Sequence, residues 1–267
     1  MLRRREGTLL DMANTRPQAL RSAQGNDIAM IFQEPMASLN PVYRIGHQIA
    51  EAILAHRRCS RKEALATALD MVRMVGINQP ERRLRQYPHE LSGGMRQRVV
   101  IAMALACDPG MLIADEPTTA LDVTIQAEIL ALIKQLQADR HGGMGVLFVT
   151  HNMGVVAEVA DRVVVMYAGR VVEQAATEDL FAHPRHPYTR SLMRCIPRPD
   201  RSLPADGRRP RLDTIPGSVP SPAAMPPGCK FSDRCELVTD ACRLAEPILH
   251  AVDGTLHQSR CNRWSEL

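Results

Sequence analysis

Residues 91–122, LSGGMRQRVVIAMALACDPGMLIADEPTTALD, constrain this chain more than any other stretch. They predict a tight turn, a helix over residues 95–106, a short strand over residues 111–114 and a polar site directly after it. Ser92, Gly93 and Gly94 open the helical run. Glycine there lets backbone N–H groups at the positive helix end approach a phosphate closely. Asp108, Pro109 and Gly110 stop the helix, and the apolar run that follows has the composition of a strand buried on both faces. Asp115 and Glu116 come next. A carboxylate pair ending a buried strand suits two tasks, holding Mg²⁺ and orienting or deprotonating a water that attacks a phosphate. Alone, SGG is usually a loop and DE a solvated strand end; in this order and spacing they form one design.

These residues resemble a known family. LSGGMRQR is similar to the signature motif of ABC-transporter ATPases, LIADEP to their Walker B strand, and TALD, ending at Asp122, to their D-loop. The resemblance implies an α/β fold of the P-loop NTPase type, ATP and Mg²⁺ as cofactors, and a second ABC ATPase subunit with which each ATP is sandwiched. It implies nucleotide contacts for Ser92, Gly93, Gly94, Gln97, Asp115 and Asp122, and a catalytic role for Glu116.

The flanking segments carry further resemblances. Residues 27–32 read as a strand that ends at Gln33, because Pro35 cannot continue it. IFQEPMASLNP is similar to the family's Q-loop, which implies that Gln33 reaches the Mg²⁺ and the attacking water, and that the loop senses the membrane subunits. Residues 146–149 form another buried-type strand, terminated by Thr150 and His151. THNMGVV resembles the H-loop, which implies a catalytic contact from His151 to the γ-phosphate. Between these motifs, Ile45, Ile49 and Ile53 and then Leu65, Leu69, Val72 and Val75 recur at helical spacing, and Ser60 with Glu63 makes a capping box. With the Pro-flanked residues 80–90 they predict a helical subdomain, about residues 36–92, that carries the signature. Residues 123–138 read as a one-face helix, and residues 162–174 as a hairpin turning at Ala168 and Gly169.

The C-terminal part narrows the class. HPYTRSLM, IPGSVP and PPGCKF together resemble the C-terminal extension of the oligopeptide, dipeptide and nickel importers. Residues 197–228 are rich in Pro, Arg and Gly without periodicity and read as an extended tail. Cys229, Cys235, Cys242 and Cys261 follow, separated by five, six and eighteen residues. Zinc sites usually contain a C-x₂₋₄-C pair, so the looser spacing fits an iron–sulfur cluster somewhat better, with unligated thiols equally open on spacing alone. The importer resemblance implies a [4Fe-4S] cluster on these four.

The net charge of +4 is modest, and no aromatic-interleaved basic stripe of the nucleic-acid-binding kind is present. No apolar run approaches the length of a membrane span, so a cytoplasmic protein is expected, peripheral on the inner face of the cell membrane through two permease subunits. An extracytoplasmic peptide-binding protein is then an indirect partner. The expected domains are an ATPase domain over residues 1–196 and an importer-type, Cys-rich extension over residues 197–267.

One part of the pattern is missing. A phosphate cradle reads G-x-x-x-x-G-K-[ST], and none of Lys62, Lys134 and Lys230 follows a glycine. The expectation is an N-terminally truncated ATPase, or a misplaced start, that energises a peptide importer. The alternative is a non-hydrolysing subunit that supplies only its signature to a complete partner. The strand near Leu147 and Phe148 is expected to present an open apolar edge.

Overall fold

The computed structural model describes residues 2–4, 7–33, 38–118, 121–139, 143–196 and 214–267. Parts of the Q-loop (34–37) and D-loop (119–120), the helix end expected at residues 141–142, and most of the Pro- and Arg-rich tail (197–213) lie outside them. The chain divides into two compact units, Met1–His151 and Asn152–Leu267.

The first unit begins with an antiparallel hairpin, β1 (Leu2–Arg3) with β2 (Leu9–Leu10), and a helix α1 (Pro17–Ala23). Arg4 Nε donates to Asp27 Oδ2 at 2.8 Å and ties these opening residues to the start of β3 (Ile28–Ile31). The helices α2 (Ile45–His56), α3 (Arg61–Met74), α4 (Pro80–Arg83) and α5 (Gly93–Leu105) follow. Then come β4 (Met111–Asp115), α6 (Val123–Ala138) and β5 (Gly145–Val149). The capping box forms as read: Ser60 Oγ accepts from the Glu63 N–H at 3.2 Å, and Glu63 Oε2 accepts from the Ser60 N–H at 2.7 Å.

The three main strands lie in the order β3–β4–β5, all parallel, with Ala29 opposite Leu112 and Asp115 opposite Val149. Parallel neighbours need long crossovers; α2 to α5 supply one and α6 the other. Their apolar stripes close one core in which Ile31, Ile49, Ile101, Leu112, Ile129 and Ile133 are fully or almost fully buried. Each such side chain stabilises the fold by about 1.5–3 kcal/mol relative to exposure. On β5 the exposed apolar residues are Leu147 (47 %) and Val149 (46 %), whereas Phe148 packs against the core. Among the described residues β5 is paired on one side only, the open edge expected near Leu147 and Phe148, and the two point to opposite faces as neighbouring strand residues do.

The second unit runs through α7 (Met153–Val159), β6 (Arg162–Tyr167), β7 (Arg170–Ala176), α8 (Thr177–Ala182), α9 (Pro187–Arg194), α10 (Asp240–Leu244), β8 (His250–Ala251) and β9 (Gln258–Ser259). Ala168 and Gly169 both have positive φ, 47° and 75°, which matches the turn to the right-handed twist of the hairpin. The antiparallel sheet has the order β6–β7–β9–β8, with Glu173 opposite Ser259. Strands from the end of the chain thus complete the hairpin's sheet. The hairpin and the last strands of the chain fall together in the compact unit Asn152–Leu267.

Candidate functional site

Parallel strands present their carboxyl ends at one edge, the edge where ligands bind open α/β sheets. Gln33 lies two residues beyond β3, Asp115 is the last residue of β4, Glu116 follows it, and His151 lies two residues beyond β5. Gln33 Nε2 donates to Glu116 Oε2 at 3.1 Å, and His151 Nδ1 lies 2.9 Å from Glu116 Oε1. Residues 83 and 35 positions away in sequence therefore meet the two oxygens of one carboxylate. The Glu116 side chain is 19 % exposed and that of His151 79 %, so a largely sheltered carboxylate is reached from solvent past the imidazole.

The turn that carries Glu116 is strained. Its φ is +45°, a left-handed conformation that costs a non-glycine residue about 1–2 kcal/mol. Its N–H donates to the Val149 carbonyl at 2.9 Å, which holds the turn against the end of β5. Asp115 remains in the β4 ladder opposite Val149. The resemblance put Gln33 beside Asp115 on a metal. The Gln33 amide meets Glu116 in the structure, since Glu116 leaves the ladder while Asp115 stays in it.

The signature residues form the start of α5. Ser92 caps the helix, its Oγ accepting from the Met95 N–H at 3.3 Å, with Gly93 and Gly94 as the first helical residues. Gly94 also has a packing reason: a Cβ there would lie 3.0 Å from Ile125 Cγ2 in the first turn of α6. Asp122 caps α6, its Oδ1 accepting from the Ile125 N–H at 3.0 Å, so its carboxylate is engaged within the chain. Gln97 is only 2 % exposed and its Nε2 donates to the Pro117 carbonyl at 2.6 Å. Gln97 and Asp122, for which the resemblance implies nucleotide contacts, thus also have partners within the chain. The signal for Gln97 was present: beyond Arg98 the helix is apolar on every side, and a polar residue on such a helix has to be satisfied by protein. Sequence reasoning also missed Arg98, whose guanidinium donates to the Val75 carbonyl at 2.7 Å and to Glu128 Oε2 at 2.8 Å.

In the second unit the three C-terminal motifs meet. Tyr188 of HPYT and Phe231 of PPGCKF pack with Tyr167 of the hairpin at ring distances of 4.7–5.4 Å. Arg234 donates to the carbonyls of Ile215 and Pro216 and to the Tyr167 hydroxyl, which draws in the IPG segment. Gly228 is required by close approach, since a Cβ there would stand 2.2 Å from the Cys242 carbonyl oxygen. The Cys229 N–H donates to that same oxygen at 2.8 Å.

Cys229, Cys235, Cys242 and Cys261 all line one small cavity, together with His186 and Arg260. Burial raises the thiols of Cys229 and Cys235 above their ordinary value, and that of Cys261 to about 11; neighbouring cysteines add to each shift. Burial pushes His186 down to about 3, with the Arg260 charge contributing, and its Nδ1 accepts from the Tyr188 N–H at 3.1 Å. The cysteines are free thiols, and no three His, Cys, Asp or Glu side chains among the described residues are grouped to hold a metal ion as they stand. The iron–sulfur expectation therefore finds a shared cavity wall and not a formed ligand cage.

Comparison with known proteins places this geometry. The sequence profile described as "ABC transporter" matches residues 1–119, and that described as "Oligopeptide/dipeptide transporter, C-terminal region" matches residues 172–242. A putative peptide import ATP-binding protein of Brucella melitensis is 55 % identical over 267 residues, all of this chain and 78 % of the relative. The oligopeptide transport ATP-binding protein AppD of Bacillus subtilis is 51 % identical over 85 % of this chain and 66 % of its own. Among solved structures, the cassette MJ0796, dimeric and bound to ADP and Pi after hydrolysis, aligns with a TM-score of 0.55 at 28 % identity over 63 % of this chain and 70 % of that one. With relatives this similar along its whole length, the chain belongs to the ATP-binding proteins of peptide-importing ABC transporters.

Proposed function

We propose that this protein is the ATP-hydrolysing subunit that energises import of oligopeptides or dipeptides. The observation that carries the reading is the convergence of Gln33 and His151 on the Glu116 carboxylate at the ends of three parallel strands. An acceptor fixed by donors on both sides is oriented to polarise a water for in-line attack on a phosphate. In this reading Glu116 orients that water and His151, exposed beside it, supports the γ-phosphate. Asp115, at the end of a buried strand, and Gln33, once released from Glu116, would be the oxygen donors for Mg²⁺, which would supply charge neutralisation on the phosphates. Ser92, Gly93 and Gly94, at the mouth of a thirteen-residue helix, receive the γ-phosphate of an ATP seated on the partner subunit. Asp122 and Gln97 hold the elements around them.

These 267 residues contain no G-x-x-x-x-G-K-[ST], so ATP at Glu116 needs a cradle that they do not supply. A second reading is that the residues contribute their signature alone to a complete partner. Among the described residues no helix is long and apolar enough to cross a membrane, so we infer attachment to the inner membrane face through two permease subunits, with the peptide-binding protein beyond them. ATPase assays on the 267 residues alone, and mixed with a cradle-bearing partner ATPase, test both. The expected result is no turnover alone and stimulation of the partner that vanishes with Ser92→Arg; turnover by the isolated chain overturns the second reading.

The cavity in the second unit fits the donor chemistry of a [4Fe-4S] cluster. Four thiols line one cavity, where burial chiefly, and neighbouring cysteines in addition, raise Cys229, Cys235 and Cys261, a cost that a bound cationic centre would reverse by stabilising thiolates. Cys229, Cys235, Cys242 and Cys261 are the proposed ligands. Oxygen-free purification should give brown protein containing iron and sulfide; colourless, metal-free protein refutes the assignment.

A further inference from the structure

The strained turn at Glu116 is held at two consecutive residues. The Glu116 N–H is bonded to Val149, and the carbonyl of the next residue, Pro117, accepts from Gln97 Nε2 at 2.6 Å in a buried setting. A turn with φ of +45° relaxes unless its surroundings over-determine it, and Pro117, having no N–H, is anchored through its carbonyl. Gln97 belongs to the helix that Ser92 caps and Gly93 and Gly94 begin, about 4.5–7.5 Å further along its axis than these three. Gly94 packs directly on Ile125 in the first turn of α6, and Asp122 caps that helix, so the signature turn, α6 and the Glu116–Pro117 turn form one continuous packed body.

We propose that Gln97 is a positioning residue that couples the signature turn to the catalytic carboxylate of its own chain. Engagement of the partner's ATP by Ser92, Gly93 and Gly94 loads α5, and the Gln97–Pro117 bond passes that load to the turn that aims Glu116 between Gln33 and His151. The tie joins a neutral amide to a carbonyl in a sealed place, so neither salt nor pH near neutrality interrupts it. The coupling rests on the proposed roles of the signature and Glu116; the tie itself does not.

Residue-resolved hydrogen exchange tests both levels, with Gln97→Met to keep the volume and remove the donor, and Gln97→Asn to keep an amide that is one methylene too short. In the isolated chain either variant should speed exchange of the Glu116 amide by about tenfold while amides in the middle of α6 are unchanged, a local opening and not global unfolding. Adding a cradle-bearing partner with ATP should protect both the Met95 and Glu116 amides in the parent chain, but only Met95 in the variants. Equal protection of Glu116 in parent and variants overturns the coupling. Absence of Met95 protection in the parent overturns the signature reading and the coupling with it; unchanged Glu116 exchange in both isolated variants overturns the tie alone.

Discussion

The two units assemble their chemistry in opposite ways. In the first, Gln33, Glu116 and His151 are brought together by a repeating rule: parallel strands of one sheet place whatever follows them at one edge. In the second, four cysteines and His186 share a cavity because an aromatic cluster, one arginine and a missing Cβ happen to close the chain on itself. A site hung on strand ends tolerates change in its side chains without loss of fold. A site made by irregular loops has no such separation, and its packing and its chemistry fail together.

The largest expected effect breaks or sharpens this contrast on the first unit. In an assembly that supplies the cradle, Glu116→Gln should lower ATP turnover by about 10²–10⁴-fold. The amide is isosteric and the side chain has few packing duties, so the thermal midpoint should stay within about 1 °C. A variant that loses activity only in proportion to lost folded protein removes Glu116 from the chemistry. The matching test on the second unit is Gly228→Ala. A Cβ 2.2 Å from the backbone oxygen of Cys242 forces the loop apart, at about 3 kcal/mol, and should loosen all four cysteines at once. Thiol labelling of Cys229 and Cys242 should accelerate while exchange in α6 stays unchanged; unaltered labelling refutes the close approach.

What the sequence made legible follows the same division. α6, β4, the hairpin turn at Ala168 and Gly169 and the capping box at Ser60 are encoded by residues a few positions apart, and each forms where it was read. The strand-end motifs were legible because the resemblance names them, but the bond from Gln33 to Glu116 was not, since it depends on the left-handed turn at Glu116. Gln97 bonding Pro117, Arg4 bonding Asp27 and β9 completing the sheet of β7 join residues twenty or more positions apart with no local signal. The bonds from Arg234 to Ile215 and Pro216, at the described end of the tail, likewise had no local signal.

Acid should separate the two units further. His186 is held neutral by burial, its pKa pushed from 6.5 down to about 3, whereas the described histidines of the first unit are exposed or half-buried. The unfolded chain takes up the proton near pH 6.5 and the folded chain does not, so the unfolded state binds more protons between those values and stability falls as pH drops. The slope is about 1.4 kcal/mol per pH unit, or about 2 kcal/mol between pH 6.5 and 5 for the metal-free protein, and it ends near the folded pKa. Urea titrations followed by Trp264 fluorescence should show this loss. His186→Asn, which retains a cap acceptor for the Tyr188 N–H, should flatten the slope; a slope that persists assigns it to another group.

The smallest expected effect belongs to the most legible feature. Ser60→Ala removes the hydroxyl that accepts from the Glu63 N–H and should cost about 1 kcal/mol, a fall of about 2–4 °C in the midpoint of the first unit. Glu63 provides an internal check. Its carboxyl lies below the ordinary range chiefly because the backbone N–H of Ser60 donates to it, and secondarily through the Ser60 side chain. The backbone N–H survives the substitution. Carboxyl titration by NMR should accordingly show Glu63 returning only part of the way towards its ordinary value. A full return means that the box acts as one cooperative unit, in which case even this local signal draws its strength from both of its bonds being made together.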